Sequence, residues 1–148
     1  MSLYEKLDWV ADSYSPILLV IAISVIVHVF RTQGRHQGSL RVAQLFLLLA
    51  LVYLLQFIDN RWMIWHSFGL DYSTHTAFAL AIVVFTWFDG RKLRIGILIS
   101  FIAYLLLMLY QQYHTVADMV TTILVLTPLM YLISRLLIRV IPTSKLAT

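Results

Sequence analysis

Residues 41–58 read RVAQLFLLLALVYLLQFI, with one charge at Arg41 and neither glycine nor proline. At 1.5 Å per residue such a helix is about 27 Å long, close to the roughly 30 Å of apolar thickness in a bilayer. Hydrocarbon cannot satisfy backbone N–H and C=O groups, so a spanning segment is a helix or part of a closed barrel. The apolar residues here are continuous rather than alternating, which selects the helix. Outward from this stretch, comparable runs at 15–30, 73–88, 93–110 and 115–139 predict an all-α, polytopic membrane bundle of five transmembrane helices.

Composition points the same way. Of the 148 residues, 61% are hydrophobic and 12% are charged, where soluble domains carry about a quarter charged residues. Length and uniform composition predict a single membrane domain over 1–148. The absence of cysteine excludes disulfide and thiolate chemistry. A net charge of +4 does not imply nucleic acid, because the basic residues lie between apolar runs rather than in one patch.

Those residues orient the bundle. Arg31, Arg35, Arg41, Arg91, Lys92, Arg94, Arg135, Arg139 and Lys145 fall on one side of the five spans, and Lys6 and Arg61 on the other. The positive-inside rule then places the N-terminus, the 59–72 loop and the 110–114 turn outside, and the C-terminal tail in the cytoplasm. The expected location is the cytoplasmic (plasma) membrane. Residues 4–14, with Tyr4, Leu7, Trp9 and Val10 among acids, predict an interfacial stretch. No basic region precedes the first apolar run, so 15–30 reads as a retained helix. Trp62, Trp65 and Phe68 suit the 59–72 loop to the headgroup layer.

Ionisable residues near membrane depth usually face a cavity or each other. His75 opens the third span, and His114 and Asp118 open the fifth, at the same outer face. The i, i+4 spacing of His114 and Asp118 predicts that a carboxylate holds the imidazole tautomer, the orienting half of a His–Asp dyad. Both helices present their N-termini to that face, which favours an anion. Ser73 can cap the third helix and offer a hydroxyl to phosphate, and Arg61 is the outer guanidinium. This chemistry suits phosphoryl transfer through histidine. The plainer alternatives are a cap or interfacial role for His75, a structural hydrogen bond for His114 and Asp118, and an interfacial anchor for Arg61. His28 and His36 lie at the other face and read as structural, and His66 reads as interfacial.

At these residues the sequence resembles the type 2 phosphatidic acid phosphatase superfamily of membrane lipid phosphatases, including its sphingomyelin-synthase-like branch. Tyr72-Ser73-Thr74-His75 is similar to the family's Pro-Ser-Gly-His, and His114 and Asp118 match the second half of its third motif. The resemblance implies His114 as the nucleophile forming a phosphohistidine, Asp118 as its orienter and His75 as the acid for the leaving oxygen. Arg61, Ser73 and Thr74 would contact the substrate, a lipid phosphate or phospholipid, with no metal or other cofactor. The sequence departs from the family at Leu107 and Met108, where the motif has Ser-Arg, at Thr74 in place of glycine, and in lacking the first basic motif. Two other readings follow. One is a non-catalytic membrane subunit or lipid-binding protein of the same fold, with a protein partner or as an oligomer. The other is a metal site from His75, His114 and Asp118 with His66 or Asp71.

Overall fold

The computed structural model describes residues 2–139. Lys145 therefore lies outside the described residues. The chain forms α1 (Leu3–Gln33), α2 (Arg35–Trp62), α3 (Ile64–Ser67), α4 (Thr74–Thr86), α5 (Arg91–Tyr110) and α6 (Val116–Arg139). Four of these, α1, α2, α5 and α6, are long and apolar enough to cross a membrane. They turn large apolar side chains outward along their length, among them Val20, Phe46, Phe57, Ile99, Leu106 and Leu124. A surface of this kind is stable against lipid tails rather than water.

The third expected span departs from this pattern. Rather than 73–88, α4 covers 13 residues, about 20 Å of helix and short of the roughly 30 Å apolar layer. Its place in the fold explains its length. α4 packs against α1, α2, α5 and α6, and every residue from Ala79 to Thr86 is buried. Ala77, Ala79 and Ala81 are fully enclosed, and their small side chains let the surrounding helices approach the α4 backbone closely. Its ends are set locally. Ser73 caps the start by accepting from the Thr76 N–H, and the chain leaves through Gly90 at φ 124, a conformation that favours glycine.

Residues 4–14 are helical and form the first turns of α1, continuous with the first apolar run. A capping box between Ser2 and Glu5 starts that helix, and Pro16 lies inside it although it removes one backbone hydrogen bond. The connection expected between the first two spans shrinks to Gly34, at φ 90. Arg41, one of the cations counted on one side of the spans, does not face solvent. It is buried in α2, donates to Gln44 Oε1 at 2.6 Å and to the Phe85 carbonyl at 3.2 Å, and pairs with the Asp89 carboxylate. The Phe85 carbonyl belongs to the last turn of α4, where helix carbonyls lack intrahelical partners. Arg41 thus closes the end of the central helix.

Candidate functional site

The opposite end of α4 gathers the other ionisable residues. The starts of α4 and α6 are stitched together: the Ser73 N–H donates to Thr122 Oγ1 at 3.2 Å, and the Asp71 N–H donates to the Asp118 carboxylate at 2.8 Å. The start of α1 meets the same end, because the Tyr113 hydroxyl donates to the Asp8 carboxylate. Trp65, on α3, leans in from the side. Its backbone N–H donates to Asp59 at 2.8 Å, and its ring N–H donates to Thr121 Oγ1 at 3.3 Å.

Asp118 has a different role from the one its spacing suggested. One carboxylate oxygen accepts from the Asp71 N–H and the other from the Thr115 N–H at 2.8 Å, while the Asp118 N–H donates to Thr115 Oγ1 at 3.2 Å. Thr115 and Asp118 therefore cap α6 reciprocally, with a carboxylate in the role usually taken by glutamate. No hydrogen bond joins Asp118 to the His114 ring. The reason lies in the helix boundary. α6 begins at Val116, so His114 precedes the helix, and the i, i+4 rule for a shared helix face does not apply to it.

His114 lies in the turn between α5 and α6, with its side chain 12% exposed. Its Nδ1 is buried without a hydrogen-bond partner. The nearest carboxylate to that nitrogen is Asp71, whose Oδ2 is 4.0 Å away on a side chain that is 76% exposed. Burial holds the His114 imidazole below its ordinary 6.5. The carboxylates of Asp71 and Asp118 oppose that shift, and charge on His75 adds to it. His75 itself is exposed as the second residue of α4, and Thr74 is half-buried beside it.

Ser73 takes the capping role expected of it, but its hydroxyl is fully buried and committed. It donates to Thr76 Oγ1 at 2.8 Å and accepts from the Thr76 N–H at 3.3 Å. Arg61 is exposed in the last turn of α2, and its guanidinium makes no ion pair among the described residues. His66 is exposed on α3. Among the described residues no group of three His, Asp or Glu side chains is placed to hold a metal ion.

Asp71, grouped with His114 only in the metal reading of the sequence, is the carboxylate nearest its Nδ1. Two features were not read from the sequence. Gln111 is buried at the end of α5, and neither polar atom of its amide has a partner. An apolar cavity of about 330 Å³ also lies between α3, the following loop and α6, lined by Ile64, Trp65, Phe68, Leu70, Thr121 and Val125. Thr121 is one turn along α6 from Asp118, so the cavity adjoins the polar cluster.

This arrangement provides a neutral, recessed imidazole, a second imidazole open to solvent and the first N–H groups of two helices at one end of the bundle. A neutral imidazole carries one lone pair for nucleophilic or base chemistry. The helix starts favour a neighbouring anion. Comparison with known proteins adds no assignment: no family model, curated protein or solved structure matches the chain.

Proposed function

We propose that the chain is a membrane-embedded lipid phosphatase or phosphotransferase that works where α4 and α6 begin, through a phosphohistidine at His114. The observation that carries this reading is a recessed His114 whose Nδ1 is buried and unpartnered among the described residues, at the end of the bundle where the exposed His75 opens α4.

In the first step the His114 lone pair attacks phosphorus, the P–N bond forms and the bond from phosphorus to the lipid oxygen breaks. His75 gives its proton to that oxygen. In the second step water, or an acceptor alcohol in the transferase case, attacks phosphorus and the P–N bond breaks. The proton of the attacking group returns to His75, the reversal expected of a shared acid and base. The helix starts stabilise the phosphoryl charge, and the apolar cavity beside Trp65 and Thr121 is suited to the first part of an acyl chain.

α1, α2, α5 and α6 cross the bilayer in this reading, with α4 enclosed between them as the fifth helix. The site faces outside or the periplasm, following the charge asymmetry of the loops. With Arg41 buried, seven cations among the described residues still fall on the opposite side. Because the chain has no cysteine, single cysteines test the orientation. One placed within 62–70 is expected to react with an impermeant reagent added outside, and one at 36 or 90 is not. The reverse pattern places the site in the cytoplasm.

A second reading, a non-catalytic lipid-binding protein, is favoured by one observation: the polar groups expected to hold phosphate are engaged elsewhere or exposed without an ion pair, as at Ser73 and Arg61. The deciding experiment is phosphate release from a panel of lipid phosphates by purified protein in detergent, with and without chelator. Release that survives the chelator supports the phosphohistidine reading. Release lost with the chelator favours a metal site, and no release from any lipid favours the binding protein.

A further inference from the structure

We propose that Asp71, rather than Asp118, is the positioning residue for the His114 imidazole. The assignment rests on the reading of His114 as nucleophile, but it is argued from geometry that stands without it. Asp118 is occupied, since its two oxygens accept from the Thr115 and Asp71 N–H groups at 2.8 Å each. Asp71 is held at its backbone by that second bond while its carboxylate makes no hydrogen bond among the described residues, with Oδ2 4.0 Å from His114 Nδ1. Nδ1 is buried and partnerless, which makes an unmet polar atom in a recess expensive. A hydrogen bond requires the exposed Asp71 carboxylate to approach Nδ1 by about 1 Å.

Two consequences follow. A carboxylate beside Nδ1 favours the tautomer with the proton on Nδ1, which leaves the lone pair on Nε2 as the attacking position. Asp118 acts one step further back, because its grip on the Asp71 N–H fixes where the Asp71 carboxylate stands. The charged and titratable groups acting on His114 are Asp71 from the segment before α4, Asp118 from α6 and His75 from α4.

The test is histidine nitrogen NMR on the full chain in detergent, labelled at histidine and titrated with pH, with no lipid phosphate present. His114→Gln assigns the signal. Asp71→Asn is expected to lower the His114 midpoint and shift its tautomer population from Nδ1–H towards Nε2–H, because the anion that favours both is gone. Asp71→Glu is expected to restore the parental tautomer, and Asp118→Asn to move the midpoint less than Asp71→Asn does. Asparagine keeps the backbone N–H that bonds Asp118, and the Asp71 side chain is exposed, so thermal unfolding of Asp71→Asn should match the parent. An unchanged midpoint and tautomer in Asp71→Asn, or a larger effect from Asp118→Asn, overturns the proposal. If Asp118→Asn does not fold, the Asp71→Asn and Asp71→Glu pair decides alone. Because no substrate is used, failure of the parent to release phosphate would count against the phosphatase reading and leave this result standing.

Discussion

Arg41 at one end of α4 and His114 at the other meet opposite polar surroundings, although Gln37 Oε1, one turn before Arg41 in α2, is also buried without a partner among the described residues. At the end closed by Arg41, the guanidinium is paired with Gln44, the Phe85 carbonyl and Asp89, it lies 4.5 Å from the Phe85 ring centroid, and Gln44 passes the network on to Ser134 at 3.0 Å. At the other end the His114 ring nitrogen and both polar atoms of the Gln111 amide are buried without partners. Native folds satisfy nearly all such groups, so a satisfied network reads as scaffold and an unsatisfied cluster as a place kept for something else. A buried charge is therefore not enough to mark a reactive site. The Arg41 pair is the more deeply buried of the two clusters, yet its chemistry is used up in holding α2, α4, α6 and the turn after α4 together.

The largest effect should come from the unsatisfied end and appear in turnover alone. His114→Ala is expected to reduce phosphate release by on the order of 10⁴-fold or more, the scale for losing a nucleophile. It should leave thermal unfolding near that of the parent, because the ring sits in a turn at the rim and its removal opens no large apolar cavity. A variant that melts early, or one that keeps its turnover, would erase the distinction between the two ends.

The satisfied end should show the converse. Arg41→Ala leaves the Asp89 carboxylate and the Phe85 carbonyl without their partner, and breaking a buried pair from one side costs about 3–5 kcal/mol. The loss should appear in detergent unfolding. Replacing both partners, with Arg41→Met and Asp89→Leu, should recover much of it, because no uncompensated charge is then left behind. If the double variant is no more stable than Arg41→Ala, the network does more than close the end of α4.

Comparison of these ends also shows what one-dimensional reading can reach. The apolar runs located the four long helices, because the length needed to cross lipid is a direct physical constraint. Ser73 was legible as a cap from its residue type and its place before the apolar run. The short span of α4 was not legible, since burial among neighbours lets a helix be apolar all round without being long. That residues 4–14 continue α1 was not read, although Ser2 and Glu5 form the capping box that starts the helix. Arg41 carried a signal that went unused: a charge with Gln44 three residues on, inside an otherwise apolar run, marks a pair on one helix face. His114 and Asp118 misled because their spacing is diagnostic only inside a helix, and the Thr115 cap puts the boundary between them. Asp71 had no local signal, as its nearness to His114 arises from the tie between the Asp71 N–H and Asp118.

The smallest effect sharpens the comparison most, because it asks whether the unsatisfied end is tuned or merely incomplete. Burial places the His114 midpoint below 6.5, so the folded protein binds fewer protons there than the unfolded chain. This contribution to stability is therefore fully present above about 6.5 and is lost as pH falls towards the folded midpoint. The active form of a nucleophilic His114 is the neutral one, so the acid limb of the kcat/KM profile should lie below 6.5 in the parent. Asp71→Asn should then have two opposed consequences. Removing the anion lowers the midpoint further, so the acid limb moves to lower pH and the variant keeps its own maximal rate into more acid solution. Losing the tautomer preference lowers that maximal rate, by up to about fivefold if an exposed carboxylate contributes no more than about 1 kcal/mol. A fall in rate with no movement of the limb would mean that Asp71 acts through the fold rather than through the imidazole. Movement of the limb with no fall in rate would mean that it sets the charge of His114 without choosing its tautomer.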